Sequence, residues 1–225
     1  MLSISNLSVS VDWKNVLDKI TMDFDIGKNY FIIWTNWSWK TSIAMTLIWY
    51  PKYKIESWEI KIDGKKINNL KTEERSLLGL FWSFQNIPEI PGIKLFEFLR
   101  IIYNNKFNEN LSFVQFKKKI FEISEKINFN NDLLWRDLNV WCSGWEKRKI
   151  EMLQILLLRP KYVILDEIDS WVDQIAQNSI QIMIEYMQKE FNTTFIIISH
   201  NPNIFQKINI FKSWEIEKWK IIKKW

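Results

Sequence analysis

Glycine is scarce in this chain: its 225 residues include five glycines and fourteen tryptophans. An ordinary protein carries about 7% glycine and far less tryptophan, so the two counts look exchanged. Alanine is rarer still, with Ala44 and Ala176 alone. The single cysteine, Cys142, excludes an internal disulfide and any metal or iron–sulfur site held by cysteines of this chain only. Long apolar runs are missing as well. Stretches such as Phe195–Ile198 are strand-sized, well short of the ~20 residues of a membrane span. Met1-Leu2-Ser3-Ile4 lacks the basic-then-apolar form of a signal peptide. Collagen-like, disulfide-stapled and disordered chains are excluded. A soluble cytoplasmic protein, with no direct membrane insertion, is the expectation.

What is present suits one large domain. Hydrophobic residues make up 47% of the chain, enough for a sizeable core. The net charge of +5 arises from 31 basic and 26 acidic residues that are interspersed. That pattern reads as a solvated surface, with no nucleic acid as partner, and the basic tail Lys218, Lys220, Lys223 and Lys224 belongs to it. Abundant Ile, Lys and Asn suggest an AT-rich coding sequence, and with the tryptophan excess they warn that some written letters differ from the residues the cell inserts.

Leu2, Ile4, Leu7, Val9 and Val11 read as an opening strand, with Ile20–Ile26 as its partner. Short apolar strands follow at Tyr30–Ile33, Leu80–Phe84, Tyr162–Leu165 and Phe195–Ile198, and Glu59–Ile62 leads into an Asp63-Gly64 turn. Helices are expected up to about Ile48, over Glu146–Leu158 and over Gln174–Lys189. From about Pro88 to Val140 the pattern is helical (Leu95–Tyr103, Phe113–Ile127) with no strand signal, which suggests an inserted helical subdomain. Strands alternating with helices favour an α/β fold with a largely parallel sheet.

A phosphate-binding loop needs Gly-x-x-x-x-Gly-Lys-Ser/Thr between a strand and a helix. Residues 34–41 have that context and end in Lys40-Thr41, but Trp34 and Trp39 stand where the glycines belong, with Trp37 between them. Backbone N–H groups wrap the phosphates at a helix N-terminus. That requires positive φ and close backbone approach, which are glycine properties. An indole would fill the phosphate volume. Two readings compete. The loop is degenerate and binds nothing, or tryptophan is written for glycine, because UGA is read as Trp in some genetic codes and as Gly in others. The second expects tryptophan wherever turn chemistry asks for glycine. Val11-Asp12-Trp13-Lys14 and Lys212-Ser213-Trp214-Glu215 read as such turns between strands, and Ser57-Trp58-Glu59 as the opening of a strand.

Val163-Ile164-Leu165-Asp166-Glu167 is an apolar strand ending in two acids. Many strands end so, but after a phosphate loop the first acid would hold Mg²⁺ with Thr41, and the second would polarise the attacking water. Cys142-Ser143-Gly144-Trp145-Glu146 precedes a helix. His200, the only histidine, follows strand Phe195–Ser199 and is a candidate γ-phosphate contact. Gln85 follows strand Leu80–Phe84 and is otherwise a surface amide.

The phosphate loop, Gln85, Ser143-Gly144-Trp145-Glu146, Asp166-Glu167, Asp173 and His200 occur in the order and spacing of an ABC-type ATPase domain, over nearly the whole chain. Several stretches resemble the SufC family, the ATPases of Suf iron–sulfur cluster assembly. These include residues 1–11, Tyr50-Pro51-Lys52-Tyr53, the run from Phe84 to Gly92, Ser143 to Lys149, and Leu165 to Asp173. Against that family, Trp13, Trp34, Trp37, Trp39, Trp49, Trp58, Trp141, Trp145, Trp171, Trp214 and Trp219 fall at glycine positions, whereas Trp82, Trp135 and Trp225 are not placed. Cys142 replaces a usual Phe, and Trp225 lies short of the family's usual end.

The resemblance implies a RecA-like P-loop core with an antiparallel β subdomain and an inserted α-helical subdomain. Residues 1–225 would form one domain, with 1–87 and 146–225 as core and 88–145 as the helical part ending in the signature segment. ATP and Mg²⁺ are the implied cofactors. Trp34, Thr35, Asn36, Trp37, Ser38, Trp39, Lys40, Thr41 and Ser42 would cradle the phosphates, and Thr41, Gln85 and Asp166 would attend the metal. Glu167, His200 and Gln85 would serve catalysis. Ser143, Gly144 and Trp145 would close the site from a second copy, with Asp173 linking the two sites of a transient ATP-dependent homodimer. Stacking of adenine on Trp13 requires a true tryptophan. The implied partners are SufB- and SufD-like scaffolds. An ATPase subunit of an ABC membrane transporter is the alternative, and a non-binding module is the third reading if every tryptophan is literal.

Overall fold

The computed structural model describes residues 1–34, 41–167, 174–199, 208–217 and 220–224, with the backbone alone for Trp34, Ser57, Trp58, Gln174, Ile175, Lys223 and Lys224. Along the chain come β1 (Leu2–Val11), β2 (Lys14–Phe24), β3 (Asn29–Trp34) and α1 (Ser42–Leu47). Then follow β4 (Lys54–Ile62), β5 (Lys65–Lys66), α2 (Thr72–Leu77), β6 (Leu80–Ser83), β7 (Ile90–Lys94), α3 (Leu95–Phe107) and α4 (Phe113–Glu125). A short 3₁₀ turn at Asn131–Trp135 leads to β8 (Asp137–Leu138) and α5 (Gly144–Leu158). The chain closes with β9 (Tyr162–Asp166), α6 (Gln174–Phe191), β10 (Thr194–Ser199), β11 (Lys212–Glu217) and β12 (Lys220–Lys224). Two compact units result. The first comprises residues 1–83, 160–170 and 184–225, and the second 84–159 and 171–183.

The first unit has an antiparallel sheet of order β2-β1-β4-β5 and a six-stranded sheet of order β12-β11-β3-β10-β9-β6. Strand β1 buries Leu2 and Ile4, then Leu7 and Val9. The shift from even to odd positions is absorbed at Asn6, where φ is 50° and the register with β2 slips. A bulge thus keeps both pairs facing the core, at a residue type that tolerates the left-handed region. In the second sheet β9 and β10 are buried at every position. This is the mark of parallel strands covered on both faces, and it explains their unbroken apolar sequence. Strands β3, β10 and β9 are parallel neighbours, with Ser199 opposite Ile33 and Ile198 opposite Asp166. Their carboxyl ends are therefore level, the place where open α/β sheets bind ligands.

In the second unit Phe96 of α3 packs edge-on against Phe116 of α4 (5.3 Å) and stacks on Trp135 (5.1 Å). Trp135 thus behaves as an ordinary core-edge aromatic. Helix α5 buries Ile150, Leu153 and Leu157 at helical spacing.

Three expectations need correction. The stretch from Pro88 to Val140 does contain strands, because β7 pairs with β8 as an antiparallel ribbon. Residues 45 apart make it, Asp137 Oδ2 accepting from the Gly92 N–H at 2.9 Å, and no local periodicity reports such a pairing. Lys212–Glu215 is not a turn but part of β11, which pairs with β3 on one side and β12 on the other. Trp214 lies within it, 1% exposed, stacked on Tyr30 at 5.5 Å and edge-on to Phe24 at 5.3 Å. Finally, β4 starts at Lys54, so Ser57-Trp58 lies inside a strand and does not open one.

Asp63 ties three segments together, accepting from the Met1 ammonium at 2.7 Å and from Lys161 Nζ at 2.6 Å. The Lys161 hydrogen bond, followed by that of the N-terminus, holds its carboxyl below the usual range. A carboxylate depressed in the folded state stabilises above its unfolded pKa, about 3.9, and that contribution disappears as pH falls through the lower folded value. Because the groups are about half exposed, the gain at neutral pH is below about 1 kcal/mol. Acid melting curves should show the parent losing stability more steeply than Asp63→Asn below about pH 4, and parallel curves would remove this role.

Candidate functional site

Strand β3 ends at Trp34 and α1 begins after Thr41, so the strand and helix that must flank a phosphate loop are both present. Thr35, Asn36, Trp37, Ser38, Trp39 and Lys40 lie outside the described residues, as do Asp173 and His200. Thr41 is the N-cap residue of α1, and its carbonyl accepts from the Met45 N–H at 2.8 Å. Ser42 is fully buried.

At the end of β9, Asp166 is 0% and Glu167 8% exposed. The ladder runs one residue beyond the strand, because the Glu167 N–H donates to the Ile198 carbonyl at 2.9 Å. There the backbone turns into the left-handed region, φ 49°, a conformation that costs a non-glycine residue about 1–2 kcal/mol. Strain of this kind concentrates at functional sites.

Tyr53 stands just before β4. Burial raises the pKa of its phenol, the Ser42 hydroxyl against it works the other way, and the Asp166 charge raises it further. The phenol is thus within electrostatic range of both Ser42 and Asp166. The Thr41 hydroxyl and the buried Asp166 carboxylate are hard oxygen donors. Such a pair suits Mg²⁺, which keeps water and phosphate oxygens in its remaining positions. Among the described residues no group of three or more His, Cys, Asp or Glu could hold a metal without such help.

The second unit contains Gln85, Ser143, Gly144 and Trp145. Gln85 is exposed, and the backbone before it is gripped from α5. Glu151 Oε1 accepts from the Phe84 N–H at 2.9 Å, and Arg148 Nη1 donates to the Phe84 carbonyl at 2.7 Å. These two buried side chains also pair at 2.6 Å, and Arg148 Nη2 reaches the Gln85 carbonyl at 3.3 Å. Ser143 starts α5 with a capping box, its hydroxyl accepting from the Glu146 N–H at 3.2 Å and its N–H donating to Glu146 Oε2 at 2.7 Å. The backbone bond to Ser143, then that to its side chain, lowers the Glu146 pKa. A Cβ at Gly144 would meet nothing within 4 Å, and its φ is not left-handed. Nothing within the described chain asks for glycine there, so the open space is available to an approaching group. The Cys142 thiol is pushed up, chiefly by burial, which makes it a poor nucleophile or metal ligand at neutral pH.

Sequence reasoning overlooked Tyr53 as a site residue, along with the Arg148–Glu151 pair. The pair had a signal, two opposite charges three residues apart on an otherwise apolar helix face. Tyr53 stood only within the Tyr50-Pro51-Lys52-Tyr53 run that carries the resemblance.

No family model matches the chain. It is 35% identical over 212 residues to a probable ATP-dependent transporter of Synechocystis sp., slr0075, covering 92% of this chain and 82% of that protein. The probable ATP-dependent transporter ycf16 of Antithamnion sp. is 34% identical, at 92% and 84% coverage. Among solved structures, the bacterial ABC transporter cassette MJ0796, described as dimeric, superposes with a TM-score of 0.84 at 15% identity, covering 100% of this chain and 98% of the other. A post-hydrolysis form of MJ0796 bound to ADP and Pi gives 0.81 at the same identity and coverage. With the level strand ends, the strand-end acid pair and the capped helix after Ser143, these relatives establish that the chain belongs to the ATP-binding cassette (ABC) ATPase family.

Proposed function

We propose that this chain is the ATP-hydrolysing subunit of a Suf-type iron–sulfur cluster assembly machine, driving conformational change in SufB- and SufD-like scaffolds. The observation that carries it is the Asp166–Glu167 pair, buried at the carboxyl end of β9, level with the ends of β10 and β3. The Suf assignment rests on the run from Phe84 to Gly92 and on Asp166-Glu167-Ile168-Asp169-Ser170.

In this reading Lys40 holds β- and γ-phosphate oxygens, and residues 34–42 wrap the phosphates with N–H groups. Thr41 and Asp166 hold Mg²⁺, with Gln85 attending it. Bound Mg²⁺ would neutralise charge on the transferring phosphoryl group. Glu167 orients the attacking water, and His200 supplies electrostatic stabilisation where charge develops. Ser143 and the Gly144–Trp145 backbone of a second copy close over the γ-phosphate, and Asp173 links the two sites.

The reading includes glycine in place of tryptophan at most of the positions named above. Trp13, Trp49 and Trp141 have φ of 65°, 65° and 55°, in a region where a bulky side chain is an outlier. Trp13 and Trp141 are also 93% and 89% exposed. Trp82 and Trp135, not assigned to glycine, have no positive φ. Trp214 counts the other way, since its indole fills the core.

A transporter ATPase is the second reading, favoured by the names of the relatives. No helix among the described residues is long and apolar enough to cross a membrane. Affinity purification of the native protein separates the two. Soluble scaffold proteins that stimulate its Mg-ATPase are the expected companions, and a co-purifying permease would overturn the Suf assignment.

A further inference from the structure

Arg75 is the largest charged side chain among the fully buried residues, 1% exposed, and none of the chemistry above uses it. Among the described residues no carboxylate pairs with it. Its five donors all reach main-chain carbonyls instead. Nε donates to Leu70 O at 2.9 Å, and Nη2 donates to Ile67 O at 2.8 Å and Asn68 O at 3.0 Å. Nη1 donates to Thr46 O at 2.8 Å and Leu47 O at 2.7 Å. Burial brings its pKa down to about 10, so it remains a cation at neutral pH.

Thr46 and Leu47 carry the final carbonyls of α1, which a helix leaves without internal partners, and a cation there meets the negative end of the helix dipole. The next carbonyl, Ile48 O, accepts from Thr72 Oγ1 at 2.7 Å. Alongside the Trp49 N–H on Thr46 O at 3.2 Å and the Tyr50 N–H on Met45 O at 2.9 Å, side chains of α2 thus hold the C-terminal end of α1. Within α1, the Met45 N–H donates to Thr41 O at 2.8 Å, and Thr46 Oγ1 donates to Ser42 O at 2.7 Å. A short hydrogen-bonded path through Thr46 joins Arg75 to Ser42, and Thr41 is tied to the same helix turn through Met45.

We propose that Arg75 is a positioning residue for the phosphate site: it locks α1 against residues 67–70 and thereby sets where Thr41 and Ser42 stand. The proposal rests on the reading that those two residues face nucleotide. Lysine cannot replace it, because a point charge with three donors does not reproduce a planar fork with five.

The test uses the full chain with the residues the native protein carries, as Arg75→Lys, Arg75→Ala and the gentler Thr72→Val. Mg-ATP affinity, turnover at saturating ATP and amide exchange are measured for each. Arg75→Lys should weaken Mg-ATP binding roughly tenfold or more, since small misplacements are costly, with turnover at saturation largely kept. Millimolar methylguanidinium should restore affinity to Arg75→Ala, and Thr72→Val should show a smaller loss in the same direction. Amide exchange should accelerate over residues 42–50 and the facing 67–75 segment and not elsewhere. Unchanged affinity in a folded variant overturns the proposal, as does uniform acceleration of exchange along the chain. If the arginine variants do not fold, Thr72→Val decides, and parental affinity and exchange would reject the lock. A parent that binds no Mg-ATP overturns the nucleotide reading instead. The exchange pattern needs no nucleotide and still decides whether Arg75 fixes α1.

Discussion

Two versions of this chain, one with tryptophan at positions 34, 37, 39 and 145 and one with glycine there, are expected to differ all-or-none in Mg-ATP binding. A phosphate loop works by close approach of main-chain N–H groups, and three indoles within residues 34–39 would occupy the volume that phosphate needs. The tryptophan version should show no ATP-dependent rise in Tm. The glycine version, at a nucleotide concentration a hundredfold above Kd, should gain about 2.7 kcal/mol. Stability without nucleotide gives an independent measure. Replacing Trp13, Trp49 and Trp141 by glycine relieves a left-handed backbone that costs roughly 1–2 kcal/mol per residue, so each change should stabilise. Trp214→Gly should do the reverse, costing about 3–5 kcal/mol as a buried aromatic is lost, because its ring stacks on Tyr30 in the core. Intact mass of the native protein counts the substitutions directly. Micromolar Mg-ATP binding by the tryptophan version would show that indoles at 34, 37 and 39 do not block phosphate.

Glu167→Gln should reduce turnover by about 10²-fold or more, the usual scale for a positioned general base, while Mg-ATP binding survives. Glutamine keeps the shape and hydrogen-bonding reach of the side chain but gives up its charge and proton affinity. With hydrolysis blocked, the ATP-bound pair of copies should accumulate, visible as a dimer by size-exclusion chromatography or light scattering. Asp166→Asn should behave differently, losing Mg²⁺-dependent affinity before turnover is measured. The distinction follows from position: Asp166 is the fully buried last residue of β9, whereas Glu167 is one residue further out, on a left-handed backbone. Parental turnover in Glu167→Gln would remove the carboxylate from the mechanism.

Much of this was legible in the chain alone. The unbroken apolar runs at 162–165 and 195–198 announced buried strands, and the acids after the first of them marked the candidate site. The Cys142–Glu146 segment was legible as the lead-in to a helix, which α5 is, and its Ser-x-x-Glu spacing forms a capping box. Each of these signals acts within a few residues, through side-chain periodicity or a hydrogen bond three positions away. What the tertiary structure alone decided acts across longer distances. The β7–β8 ribbon joins residues 45 apart, and Trp214 became core and not turn because β3 and β12 claim both edges of its strand. Arg75 found five carbonyls on segments that no pattern in its own helix reveals. Local sequence states which backbone shapes are cheap; which distant groups satisfy one another's buried polar atoms is settled only when the chain closes on itself.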